Sequence, residues 1–374
     1  MGFFLYYIVP FIIVLGVLIF FHELGHFLVA KSSGVKVLKF ALGFGPKLVS
    51  KKIGDTEYSI RYFPLGGFVK MLGEDEGDEE AKNLPPEEAK KSFENQPVYK
   101  RMAIVAAGPF FNLILAFLLF SGLFLISGQH VIIPEIGQVT KGMPAQKAGL
   151  QKGDIVVSID GKAVNTWSEM KDIVQPSAGK SLKITIQRGD RLLTHIIVPE
   201  AKVVKNIFGQ EIKAALIGIV SSGKVKKIQF GPWEAAKRAT LETWKWVKLT
   251  CLVVVKLFQG SIPLKEVGGP ILIGQMAGKL AQDSFANLIP FMAIISVNLA
   301  ILNLFPIPIL DGGLLLFLLF ELLLRKPVSP KMRELAMKAG LFLLVFLMLI
   351  ITFNDLSRFK TFKDLFQSLG RFFG

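Results

Sequence analysis

Two histidines and a glutamate stand within five positions of an otherwise apolar stretch, GVLIFFHELGHFLVAK at residues 16–31. His22, Glu23 and His26 spell H-E-x-x-H. On a helix, positions i and i+4 share a face, so both imidazoles reach one metal ion while the glutamate beside the first addresses a water held there. That spacing suits zinc-assisted hydrolysis, in which the ion acidifies the water and polarises a carbonyl, and Glu23 carries the proton to the leaving amine. A catalytic zinc takes a third protein ligand and keeps one position open. Between residues 286 and 320 the only charged side chain is Asp311, directly after the proline-interrupted stretch NLFPIPIL. Its bland reading is an N-cap at a helix start. Depth favours the ligand: His22 to His26 lie about 30 Å along a helix entered at residue 3, and Asn303 lies about 26 Å along one entered at 286. Zinc held by His22, His26 and Asp311 is the reading that follows.

What justifies ionisable groups in such a stretch is the membrane. Hydrophobic residues make up 51% of the 374, and the mean hydropathy is +0.49. Apolar runs of about 20 residues cross a bilayer core of roughly 30 Å as helices. Four regions qualify, 3–30, 101–127, 286–324 and 335–354. The first has no Lys or Arg ahead of it and exceeds the length of a signal-peptide core, so it reads as a retained span. Ionisable groups inside spans are rare and mark function. The third region is nearly twice the length of one helix, and Pro306, Pro308, Gly312 and Gly313 predict a break in it. Irregular backbone at membrane depth is tolerated where protein or a water-filled cavity satisfies it.

Lys31, Lys36 and Lys39 follow the first span, Lys100 and Arg101 precede the second, and Arg325, Lys326, Lys331 and Arg333 crowd the loop before the fourth. Positive charge resists translocation, which places these connections in the cytoplasm and 128–285 outside. The net charge of +15 is scattered and accompanied by no groove-reading motif, so nucleic acid is excluded and the lipid bilayer is the partner expected for it. Cys251 stands alone, which rules out an intrachain disulfide, and it reads as a buried apolar residue.

The expected architecture is a polytopic α-helical membrane protein of about four spans. It runs from a first transmembrane helix (1–30) through a cytoplasmic-side, membrane-associated β-region and acidic linker (31–100) to a second transmembrane helix (101–127). Next come an extracytoplasmic α+β domain (128–222) and amphipathic interfacial helices (223–285). The broken third segment (286–324), a cytoplasmic loop (325–334), a fourth transmembrane helix (335–354) and an extracytoplasmic amphipathic tail (355–374) complete it. His130 and His195, in this domain, have no helical partner at metal spacing. Gly108 and Pro109 bend the second span for close packing, with Asn112 as polar glue.

With H-E-x-x-H in the first span and NLFPIPILDGG in the third, the sequence resembles the bacterial site-2 protease family, intramembrane zinc metalloproteases of the regulator of sigma-E protease type. The resemblance covers nearly the whole chain: FALGFGPKL, PLGGFVKMLGE, AGPFFN, PAQKAGLQKGDIVVSIDGK and SVNLAILNLFPIPILDGG occur in the family's order. It implies that His22, His26 and Asp311 hold Zn2+, that Glu23 is the catalytic base, and that Asn303, Pro306 and Pro308 contact substrate, with Gly66 and Gly67 of PLGGFVKMLGE. It implies a PDZ-like domain around PAQKAGLQKGDIVVSIDGK. It also implies a multi-pass protein of the bacterial cytoplasmic (inner) membrane that cuts single-span substrates, anti-sigma factors or signal-peptide remnants, after an upstream site-1-type protease has shortened them. Leu314 stands where many members have His, Phe68 where Tyr is common, and one PDZ-like segment is found where some members have two.

Two other functions fit parts of the pattern. A divalent-metal transporter would use a broken helix with Asp and His at membrane depth, but it has no need of Glu beside the first ligand. A membrane scaffold with a structural metal would close its site with four ligands, and three are visible. Water is expected to reach the zinc between the third span and the strands at 35–73.

Overall fold

The computed structural model describes residues 4–74, 85–205 and 211–358. Residues 75–84 of the acidic linker and 359–374 of the tail lie outside the described residues. The chain forms two compact units, one of residues 1–123 with 232–374 and one of residues 124–231.

The first unit begins with a π-helical turn, Phe4–Ile8, that runs into helix α1, Val9–Ser32. Apolar residues surround α1 on every side, which is the pattern of a buried or membrane-spanning helix rather than an amphipathic one. Strands β1, Val37–Ile53, and β2, Thr56–Met71, form an antiparallel pair with several register shifts. Residues 39–42 face 67–70 on one side and 57–60 on the other, while 47–53 return along 56–61. The segment 67–71 is thereby left at one margin of the sheet. Phe40 and Tyr58 of the sheet meet Phe27 of α1 with ring centres 5.1 and 5.8 Å apart, and Ile104, Val105 and Leu318 complete that core.

Helix α2, Val98–Ile126, follows. The second unit then supplies β3, Gln129–Ile132, and β4, Ile136–Val139. Strands β5 (Ile155–Ile159), β6 (Lys162–Ala163), β7 (Leu182–Arg188) and β8 (Arg191–Ile197) form one sheet in the order β6-β5-β7-β8. Helix α3, Trp167–Val174, lies between β6 and β7 in the chain and is capped by Thr166, whose hydroxyl accepts the Glu169 N–H at 3.1 Å. Its Met170 and Val174 join Ile136, Val156, Ile159, Ile184 and Ile186 in the core. Asp154, 1% exposed, receives two bonds from the Arg188 guanidinium, at 2.7 and 2.8 Å. Strands β9, Glu200–Lys205, and β10, Glu211–Leu216, pair with each other, β11, Ile219–Ser221, pairs with β4, and β12, Val225–Ile228, pairs with β3. This last pairing carries the unit to Gly231, past residue 222, because β12 supplies the hydrogen-bonding partner that β3 needs. A cavity of about 430 Å³ lies between α3 and the chain from Ala215 to Val220.

Back in the first unit come α4, Pro232–Phe258, α5, Pro270–Asp283, α6, Leu288–Asn303, α7, Asp311–Leu324, and α8, Pro330–Ser357. Among the described residues, four helical stretches are long and apolar enough to cross a membrane, at 6–32, 98–126, 285–303 and 330–357. The third region breaks between Asn303 and Asp311, as its prolines predict. Gly312 and Gly313 let the 304–310 loop fold onto the first turn of α7, since a Cβ at either would collide with the backbone of Leu304, Phe305 or Ile307. Helix α5 packs a small-residue face on α1: Ala277 is buried with Val14, Leu18 and Phe291, and Gly278 lies against Tyr7. Asp355 of α8, 2% exposed, accepts the N–H groups of Gly269 and Leu272 and so caps α5. Cys251 is exposed on α4, against the expectation of burial, because it lies off the face that α4 packs on α6.

Candidate metal centre

Because α1 is one unbroken helix, His22 and His26 lie a turn apart on one face, edge to face with ring centres 4.8 Å apart. The break in the third region places Asp311 at the first position of α7, opposite them. His22 Nε2 lies 3.2 Å from Asp311 Oδ2, His26 Nε2 lies 3.6 Å from Asp311 Oδ1, and the two Nε2 atoms are 3.2 Å apart. Taken with one ligand atom per residue, the two imidazoles and the carboxylate place those atoms within 4.8 Å of one another, a trio that could hold a metal ion such as zinc. Asp311 Oδ2 is buried without a hydrogen bond. With both Nε2 atoms free of protons, these nitrogen and oxygen acceptors repel unless a cation stands between them. The donor set therefore fits a divalent metal, and the side chains are 11–20% exposed, enclosed yet reachable.

The second helix shapes the pocket. Gly25 of α1 sits against the Ala107 carbonyl of α2, and a Cβ at Gly108 would collide with both His26 and His22. Pro109 cannot donate to the carbonyl one turn earlier, and beside that gap the Ile104 carbonyl takes the His26 Nδ1–H at 2.9 Å. Asn112, fully buried, lies one turn beyond Gly108 with its Nδ2 3.3 Å from His22 Nδ1. Arg101 of α2 holds Glu321 of α7 through two bonds of 2.6 and 3.2 Å, which fixes the helix that carries Asp311.

Glu23 lies outside the donor trio. The Val69 N–H bonds its carboxylate, and Gly67 leaves the space beside it, since a Cβ there would lie 3.2 Å from Glu23 Cγ. Asn303 Nδ2 is 3.4 Å from His22 Nε2. Pro308 packs on Gly340 of α8, and Pro306 lines an apolar crevice of about 700 Å³ with Tyr99, Met102 and Leu315. Gly66 faces Phe44 rather than the donors. His130 and His195 lie in β3 and β8 of the other unit. Sequence reasoning missed the contacts of Gly108, Asn112, Ile104 and Val69 with the site. A signal for the first two was present, a glycine and an asparagine one turn apart in an apolar helix.

Residues 10–347 match Peptidase family M50. A provisionally named zinc metalloprotease of Mesorhizobium japonicum is 38% identical over 93% of this chain and 98% of its own length. The regulator of sigma-E protease RseP of Escherichia coli is 33% identical over 95% of this chain and 99% of its own. A solved PDZ domain of an SdrC-like protein from Listeria monocytogenes aligns at 26% identity over 23% of this chain and 84% of that domain, with a TM-score of 0.20. A match over most of the chain, with the H-E-x-x-H histidines and an aspartate gathered on one point, means that this protein belongs to Peptidase family M50.

Proposed function

We propose that this protein is a zinc metalloprotease of the inner membrane that hydrolyses a peptide bond within or near the span of a single-span membrane protein. The observation that carries the reading is the meeting of His22, His26 and Asp311, whose ligand atoms lie within 4.8 Å of one another, the two histidines standing on a helix long and apolar enough to cross a membrane. The names of the relatives, zinc metalloprotease and regulator of sigma-E protease, support it.

Bound by His22, His26 and Asp311, zinc would polarise the scissile carbonyl and acidify a water. Glu23 takes the proton of the attacking water and returns it to the leaving amine, so the carboxylate ends each cycle as it began. The Val69 N–H holds that carboxylate in place. Asn303, with its Nδ2 beside His22, is the uncharged donor at hand for the carbonyl oxygen. A helical substrate hides its carbonyls in its own hydrogen bonds, so it must be drawn out as a strand. The 67–71 margin beside Glu23 offers an edge for it, and Gly67 lets that margin lie close to Glu23 and Ile19. Pro306 and Pro308 keep 304–310 out of the helix on the other side, where a run of turns carries the chain to Asp311.

In this reading the basic connections place the metal centre toward the cytoplasm and the PDZ-like unit outside. Substrates are anti-sigma factors or signal-peptide remnants already shortened by another protease. Purified protein in detergent should cut such a substrate within its span. Glu23→Gln should lose about 10²- to 10⁴-fold in rate while retaining its zinc. Undiminished cleavage by that variant would sink the mechanism, and bound zinc without cleavage of any shortened substrate would sink the protease reading.

A further inference from the structure

We propose that Asn112 is a positioning residue that holds His22 in the tautomer able to bind the metal, by accepting the His22 Nδ1–H. The inference rests on the metal-centre reading above and extends it from the ligands to the group behind one of them.

The two histidines face the same demand. A neutral imidazole ligates through the nitrogen that carries no proton, so each Nε2 must be bare and each Nδ1 must bear the hydrogen. For His26 the structure fixes this outright: its Nδ1 lies 2.9 Å from the Ile104 carbonyl, which can only accept. For His22 the partner of Nδ1 is the Asn112 amide, which can accept through one end or donate through the other. The ends of an amide have nearly the same shape, and the chemistry of the neighbours decides between them. If Nδ2 donates, His22 carries its proton on Nε2 and points it into the space that the donor trio encloses, where a cation would have to sit. If Oδ1 accepts, the Nε2 lone pair joins that of His26 and the Asp311 carboxylate. As drawn, Oδ1 is the end buried without a partner. Turning the amide gives the oxygen the one N–H that the ligand set requires it to take.

The location of Asn112 supports a precise role. It is fully buried, and it stands one turn from Gly108, where the missing side chain admits both rings. Ser296 of α6, also fully buried, donates its hydroxyl to the Asn112 carbonyl at 2.7 Å. The turn that carries the amide is thus tied to α6, the helix that ends at Asn303. Partners of this kind behind a metal histidine are worth about 10- to 100-fold in metal affinity.

The test uses the whole protein in detergent, stripped of metal and titrated with Co2+, read by visible absorption and by competition with a coloured chelator. Asn112→Leu keeps the volume and removes the acceptor, and it should bind Co2+ about 10- to 100-fold more weakly with an altered band shape. Asn112→Asp can only accept, and it should bind at least as tightly as the parent. Parent-like affinity in Asn112→Leu, or an equal loss in both variants, would overturn the proposal. Should either variant fail to fold, ¹⁵N resonances of labelled histidine in the metal-free parent decide instead: His22 protonated at Nδ1 supports the proposal, and at Nε2 overturns it. The outcomes separate the two readings. A parent that takes up no Co2+ overturns the metal centre itself, whereas a parent that binds it beside an equally tight Asn112→Leu overturns only the role of Asn112.

Discussion

At position 108 a single methyl group decides whether α2 can lie against the His22 and His26 rings of α1. A Cβ there would enter the rings of His26 and His22, so Gly108→Ala should displace one of them and abolish stoichiometric zinc binding, checked by metal analysis of the purified protein. Wild-type zinc content in that variant would show that the helices can separate and keep the site. Removal of the metal by a strong chelator should stop cleavage, and added Zn2+ should restore it, because the fold already gathers the three donors within 4.8 Å of one another. The histidines and Glu23 were legible from spacing alone, since a helix turns H-E-x-x-H into one face. Gly108 was read as a packing residue, and the sequence alone could not show that what it packs against is the metal site.

The elements repeat the pattern at larger scale. Prolines announced the break between α6 and α7, but the fold of the 304–310 loop onto α7 depends on the backbone of Gly312 and Gly313 meeting that of Leu304 and Ile307. Helix α5 has no local sequence signal for its partner, because what caps it, Asp355, comes from the far end of α8. Asp355→Ala should destabilise this region by about 2 kcal/mol, seen as faster hydrogen exchange over residues 264–283, and unchanged exchange would count against the cap. In the other unit, burial pushes the Asp154 carboxyl up, but the Arg188 guanidinium and the Gln151 N–H outweigh it and hold it below the usual carboxylate range. A depressed native pKa contributes stability above the unfolded value near 3.9 and loses it as pH falls through the native one. Exchange protection of the β5–β7 sheet should therefore drop below about pH 4, and Asp154→Asn should be less protected at neutral pH and flatter on the acid side. An unchanged acid profile in that variant would assign the loss to other groups.

For the whole molecule the open question is orientation in the bilayer, and charge predicts it. In a Cys251→Ser background, Lys326→Cys should be labelled only from the cytoplasmic side and Gly179→Cys only from outside; the reverse pattern would invert the proposed topology. By itself the sequence determined the candidate spans, the break and the family, and singled out His22, Glu23 and His26 as candidates, because each of these depends on composition or on spacing along a single element. Only the tertiary structure decided that Asp311 reaches His22 and His26, that Asn112 and the Ile104 carbonyl stand behind their rings, and that Val69 holds Glu23. Those contacts join residues 46 to 289 positions apart, since 69 − 23 is 46 and 311 − 22 is 289. No local pattern encodes such distances. They exist because apolar helices pack at the closest approach their small residues allow, and polar groups carried into that interior must find one another.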